Sequence, residues 1–268
     1  MTFSSHLAPI TVGLSIALLS TASMAETSSS NASVGNVQYH LIDLTPNDGI
    51  DTSLTLVSSY NHSYSQISDE VKGLPSAVQT KDATSYSPDY TYALVASSQS
   101  QSYSAASGGL FSGVSSKGYQ SGDGFFQGTQ NTNQTFSLSA HTAIVLTGYI
   151  RGSTNTSTNN FNTTNAFSNA VVSLTQVTPT DPNGTFDQAI GRSWFSPDGN
   201  QPGFESFAFT FNNNNDFSID VKYAAWASSN GSAHSTSPVP EPETYAMMLS
   251  GLGMLAFLAR RKAKQNTL

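Results

Sequence analysis

The sequence predicts an all-β chain, an antiparallel β-sandwich with a jelly roll as the alternative topology. Three observations carry this reading: apolar residues recur at every second position through the long middle of the chain, helical spacing is nearly absent there, and Gly, Asn, Asp and Pro separate the alternating runs. The chain has 268 residues, no cysteine, 10% charged residues and a formal net charge of −7. These values exclude a disulfide-stapled domain, a zinc–thiolate site and a basic nucleic-acid binder. Low mean hydropathy and the lack of an uncharged apolar run near twenty residues exclude a multi-spanning membrane protein.

The elements follow in chain order. Residues 7–19 are largely apolar, and Ser23 and Ala25 stand at the −3 and −1 positions of a cleavage site. This predicts a secretory signal helix over residues 1–25, removed after Ala25. An exported β-sandwich domain is expected over residues 26–228. Its strands are predicted at Val37–Ile42, Leu54–Tyr60, Tyr90–Ala96, Thr135–Ser139, Thr142–Ile150 and Ala170–Val177. Further along, Phe207, Phe209 and Phe211 alternate with Ser206, Ala208 and Thr210; Phe217, Ile219, Val221, Tyr223 and Ala225 alternate with Ser218, Asp220, Lys222 and Ala224. With the turn-forming stretch Asn212–Asp216 between them, these two runs read as a β-hairpin.

Three stretches, Ser97–Gly109, Gly118–Asn133 and Arg151–Asn165, are dominated by Ser, Thr, Asn, Gln and Gly. They are expected as long polar loops outside the core. Residues 229–238, with Gly231 and Pro238, read as a linker.

The tail has three parts. Val239, Pro240, Glu241 and Pro242 cannot be helical and should be extended. Tyr245–Ala259 is uncharged, and Arg260, Arg261, Lys262 and Lys264 close it with positive charge. Fifteen helical residues rise about 22 Å, short of a hydrocarbon core of about 30 Å, so the segment is expected as a short, transient inner-membrane helix. Its basic end should remain on the cytoplasmic side.

This ordered tail, residues 239–264, resembles the PEP-CTERM sorting signal of Gram-negative bacteria. Val239, Pro240, Glu241 and Pro242 match its Val-Pro-Glu-Pro box, and Arg260, Arg261 and Lys262 match its basic cluster. The resemblance implies processing by an exosortase, a membrane enzyme that removes or exchanges the tail, in a host that makes extracellular polysaccharide. Phe136–Tyr149 also resembles a stretch common in proteins with this tail, where it forms neighbouring strands of a sandwich domain.

Catalytic spacing is not found in the middle of the chain. Gly191-Arg192-Ser193-Trp194-Phe195 lacks the second glycine of a nucleophile elbow, so Ser193 reads as a loop serine. His40, His62, His141 and His234 have no mutual metal-ligand spacing. Glu26, Glu70 and Glu205 are the glutamates between the two ends, and Glu205 with Asp220 is the carboxylate pair that one sheet face could gather for glycoside hydrolysis. No cofactor is expected. Calcium is the one metal with candidates: Asp181, Asn183 and Asp187 cluster hard oxygen ligands around a glycine turn, and Asn47–Asp51 is a shorter version. Trp194 and Phe195, and Tyr119, Phe125 and Phe126, are expected as loop aromatics that cover the open end of the sandwich core, with a sugar-stacking platform as the alternative.

Together these readings predict a protein exported across the inner membrane, transiently anchored, then placed on the cell surface or outside the cell. Its expected role is non-enzymatic, as a structural or exopolysaccharide-associated biofilm component. A carbohydrate-binding module or a secreted polysaccharide-active hydrolase is the alternative. The expected partners are an exosortase and an exopolysaccharide or cell-surface glycan, with no nucleic acid.

Overall fold

Twelve strands form among the described residues of the computed structural model, which are 26–70, 77–157, 164–178, 188–196, 202–234 and 249–257. In chain order the first six are β1 (Thr27–Asp43), β2 (Leu54–Asp69), β3 (Ala77–Ser85), β4 (Thr91–Ala96), β5 (Ser100–Ala106) and β6 (Val114–Ser121). The rest are β7 (Gly124–Leu138), β8 (Thr142–Thr156), β9 (Thr164–Val177), β10 (Gln188–Ser196), β11 (Gly203–Asn213) and β12 (Ile219–Ala233). They make two six-stranded sheets, in the orders β11-β8-β1-β6-β5-β4 and β10-β9-β12-β7-β2-β3. Every pair is antiparallel. The sheets stack with β8 on β9, β1 on β12, β6 on β7 and β5 on β2. This is the sandwich-like architecture that the alternation predicts.

Alternation also places the core. Phe207 and Phe209 of β11 and Ile219, Val221, Tyr223 and Ala225 of β12 are buried, as their period of two requires. They pack with Phe136, Leu138, Ile144, Leu146, Val172 and Leu174 into one apolar cluster. Each such side chain contributes about 1.5–3 kcal/mol through burial. Phe217 differs from its expected place: it precedes β12 and is exposed.

Connectivity corrects the expected hairpin. β11 lies in the first sheet and β12 in the second, so the Asn-rich turn crosses between sheets. The neighbouring-strand expectation for Phe136–Tyr149 changes in the same way, because β7 and β8 lie in opposite sheets. Alternation tells which residues face inward but does not say which sheet receives the next strand.

The three polar stretches are corrected more deeply. They supply β5, much of β6 and β7, the second half of β8 and the start of β9, with polar residues on the inner face. Ser63, Ser65, Ser102, Ser104, Gln130, Thr132 and Gln134 are fully buried. They satisfy one another and the opposite sheet: Ser104 Oγ donates to the Tyr64 carbonyl at 2.8 Å, Ser102 Oγ to the Gln127 carbonyl at 2.5 Å, and Ser65 Oγ to the Ala93 carbonyl at 3.0 Å. Thr132 Oγ1 donates to Asn61 Oδ1 at 2.6 Å, and Ser63 Oγ donates to Gln130 Oε1. Buried polar groups are tolerated when they are paired in this way. At Gly128 the sheets come so close that a Cβ would lie 2.6 Å from Ser116 Oγ.

Residues 229–233, expected as the start of a linker, are strand instead. β12 runs through Ala233, pairing on both sides with β7 and β9 and burying Ser229. The chain divides into two units, one spanning Ala25–Thr236. In the other, residues 249–257 form a helix whose residues are exposed. Among the described residues no helix is long and apolar enough to cross a membrane.

Candidate functional site

The site grows from the outer face of the first sheet, where β1, β6, β8 and β11 present every second residue to solvent. Register fixes its rows. Ser33 of β1 lies opposite Ser115 of β6 and Arg151 of β8, and Arg151 lies opposite Phe204 of β11. In the next row Asn31 lies opposite Lys117 and Ser153, and Lys117 lies opposite Tyr103 of β5. One face therefore gathers two cations, several aromatic rings and a band of hydroxyl and amide groups, drawn from positions 31 to 204 of the sequence.

Local contacts hold these groups in place. The Arg151 guanidinium stands 5.8 Å from the centre of the Tyr149 ring, and its Nε donates to Ser33 Oγ at 3.2 Å. Tyr149 in turn packs on Phe204, with ring centres 5.3 Å apart. Lys117 Nζ lies 5.2 Å over the Tyr103 ring. Such cation–π contacts orient a cation without neutralising it. Tyr103 and Tyr90 share a hydroxyl hydrogen bond of 2.8 Å; burial, with that bond, pushes the Tyr103 phenol up to about 12. Asn31 Nδ2 donates to Ser153 Oγ at 2.6 Å.

Two open hollows run along this face. One, of about 640 Å³, includes Asn31, Lys117, Arg151, Ser153 and Phe204. The other, of about 480 Å³, includes Tyr90, Tyr103, Tyr149 and Arg151. They meet at Ser33, Ser115 and Arg151, so the surface is one groove rather than two separate pockets. Each lies within the volume range of small-ligand sites, and both open to solvent along the sheet.

A second cluster lies in the loops beside β1, β7 and β11. His141 Nδ1 contacts Asp48 Oδ2 at 2.6 Å and Nε2 contacts Asp216 Oδ1 at 2.9 Å. A carboxylate on each ring nitrogen favours the imidazolium, in which both nitrogens donate. The hydrogen bonds to Asp48 and then Asp216 raise the His141 pKa, while Thr45, His141 and the Ile50 amide lower Asp48 to about 2. The backbone joins the same three loops, because Leu44 N donates to the His141 carbonyl at 2.8 Å and His141 N donates to the Asn215 carbonyl at 3.4 Å.

The candidates read from sequence fall differently. Glu205 pairs with Arg192 at 2.5 Å in β11, and Asp220 lies in the opposite sheet, so the proposed carboxylate pair is not brought together. Ser193 is a strand residue of β10 that accepts a hydrogen bond from Asn169 Nδ2 at 2.7 Å. Trp194 and Phe195 are also in β10, with Trp194 buried against Gly152 and Gly203, where a Cβ would clash with the indole. Phe126 is a buried residue of β7, half-buried Phe125 precedes it, and exposed Tyr119 belongs to β6, so these are not loop aromatics.

His62 faces Asp82 at 3.0 Å. In the shorter calcium candidate, Asp48 is committed to Thr45, Ile50 and His141. Among the described residues no group of three or more His, Cys, Asp and Glu is placed to hold a metal ion. Asp181, Asn183 and Asp187 lie outside the described residues, as do Ala25, Val239, Pro240, Glu241, Pro242, Arg260, Arg261 and Lys262.

Sequence reasoning missed the groove. The pairs Asn31/Ser33 and Tyr149/Arg151 are spaced by two and thus share a strand face, but nothing in the sequence says that these strands are neighbours.

Comparison with known proteins informs the tail. Residues 238–262 match the family model of the PEP-CTERM protein-sorting motif. The chain carries that motif, which implies processing by an exosortase and sorting to the cell surface. No curated protein and no solved structure matches the chain.

Proposed function

We propose that the chain is a non-enzymatic component of the cell surface or extracellular matrix, delivered by its tail and held in exopolysaccharide by its β-sandwich. The observation that carries this reading is the sorting motif at residues 238–262, which directs the chain to the compartment where such polymers lie. In this account residues 1–25 are removed on export, the apolar part of the tail enters the inner membrane transiently, and the exosortase acts near Val239–Pro242.

A second observation favours glycan binding as the sandwich's task. The groove offers exposed Phe204 with half-buried Tyr103 and Tyr149 beside amide and hydroxyl groups, the combination by which flat sugar faces and their hydroxyl edges are held. A carbohydrate-binding module is therefore the near variant of the same reading.

Fractionation of the native host tests the proposal. The protein should remain with washed matrix and be released when the polysaccharide is depolymerised, and a strain lacking the gene should show altered matrix cohesion. Recovery wholly in the soluble medium, with unchanged cohesion in the deletion strain, contradicts it.

A further inference from the structure

We infer that the groove across β5, β6, β1, β8 and β11 binds a linear acidic polysaccharide, its carboxylates pairing with Lys117 and Arg151 and its sugar rings resting on Tyr103, Tyr149 and Phe204. This rests on the glycan-association reading above and adds the chemical class of the polymer and its site.

Charge selects the acid. The chain carries 10 basic and 17 acidic residues, a net of −7, so a polyanion is repelled at long range by most of it. The named positions of this face carry Lys117 and Arg151 and no carboxylate. Neither cation has a carboxylate partner among the ion pairs of the described residues. Each is instead held over a tyrosine ring, which keeps its charge available. Arg151 commits its Nε to Ser33, and a guanidinium has four further N–H donors, enough for a bidentate carboxylate.

Shape selects the polymer. The two hollows share Ser33, Ser115 and Arg151, and together they cross the strands as a channel open to solvent. A single small acid would use one cation; a chain of acidic sugars can use both, with rings between them on aromatic surfaces. The hydroxyl and amide band of Asn31, Ser33 and Ser153 supplies partners for sugar hydroxyls.

Affinity electrophoresis and calorimetry of the full-length protein test this with alginate as an acidic polymer, dextran as a neutral one and inorganic polyphosphate as a sugar-free polyanion. Alginate should bind with a steep loss of affinity in added salt, while dextran and polyphosphate bind at least tenfold more weakly. The double variant Lys117→Gln/Arg151→Gln should lose at least tenfold in alginate affinity. Phe204→Ala should lose several-fold without changing the salt dependence. Lys222→Gln, on the opposite sheet, should bind as the unaltered chain does. All three variants should keep the melting temperature, since these side chains are exposed or at the surface.

Alginate binding that survives the double variant overturns the assigned site and leaves glycan association standing. Dextran binding that matches or exceeds alginate binding overturns the acidic class. Equal binding of polyphosphate overturns the sugar-specific reading. Failure to bind any glycan overturns both this inference and the role proposed for the sandwich.

Discussion

Two halves of one interior are built from different chemistry. Around Val34 of β1, Ile144, Leu146 and Ile150 of β8, Phe207 and Phe209 of β11, Val172 and Leu174 of β9 and Val221 of β12, the sheets are held apart by large apolar side chains. The other ends of β1, β8, β9 and β12 bury Ser28, Ser30, Thr154, Thr164, Ser168 and Ser229 instead. Between β5 and β6 and the facing parts of β2 and β7, the inner positions are mainly Ser, Thr, Asn, Gln and Gly, with Ile67, Val95 and Phe126 as a small apolar island. The apolar half gains about 1.5–3 kcal/mol per buried side chain. A satisfied hydrogen bond in the polar half adds about 0.5–1.5 kcal/mol net. The difference teaches that short side chains change what an interior does. Sheets filled by large residues stand about 10 Å apart, whereas Ser65, Ser102 and Ser104 reach backbone carbonyls of the opposite sheet directly. The apolar half supplies most of the stability, and the polar half fixes the spacing of the sheets.

Phe136→Ala should have the largest effect, because Phe136 stacks on Phe111 with ring centres 4.4 Å apart and Phe111 meets the Tyr223 ring at 5.3 Å. A loss of about 3–5 kcal/mol is expected in urea unfolding. Gln134→Leu comes next, at the seam of the two halves. Its Oε1 accepts from Phe111 N at 2.6 Å and its Nε2 donates to the Gly109 carbonyl at 2.8 Å, and Phe111 holds a left-handed φ of 53°. Leaving Phe111 N unpaired, while the Gly109 carbonyl keeps its hydrogen bond from Ser112 Oγ at 2.8 Å, should cost about 2 kcal/mol.

Ser104→Ala should cost only about 1 kcal/mol, by removing a single donor from the Tyr64 carbonyl. A cost equal to that of Phe136→Ala would erase the distinction between the halves. Thr91→Val has the opposite sign. Thr91 Oγ1 is buried without a hydrogen-bond partner, so the isosteric valine should gain about 1 kcal/mol.

The smallest effect concerns the loops outside both halves. His141 has its pKa raised above 6.5 by Asp48 and Asp216, so its contribution is complete below 6.5 and is lost as pH rises through the folded value. Asp48 is lowered from 3.8 to about 2, so its contribution is complete above 3.8 and is lost as pH falls toward 2. Melting temperature against pH should decline on both sides, and His141→Ala should remove the alkaline decline.

What the sequence discloses follows the same division. Strong contrast between Phe209 and Thr210, or Val221 and Lys222, makes a period of two visible and identifies both strand and buried face. Ser102, Ser104, Gln130 and Thr132 alternate with residues of similar polarity, so the same period is present in space but has no contrast in sequence. Long-range assignment is hidden for a separate reason: β11 and β12 are consecutive yet belong to opposite sheets, and the groove gathers Asn31, Tyr103, Lys117, Arg151 and Phe204 from five strands. The tail is legible because its signal is local, with motif, apolar segment and basic cluster in one continuous stretch.

Intact mass and the C-terminal peptide of the protein recovered from the native host's matrix and membrane fractions test the account most directly. The account predicts a matrix form that lacks residues 1–25 and ends within Val239–Glu243, with any added mass at that end reporting covalent transfer. A full-length C-terminus confined to the inner membrane would contradict delivery to the matrix.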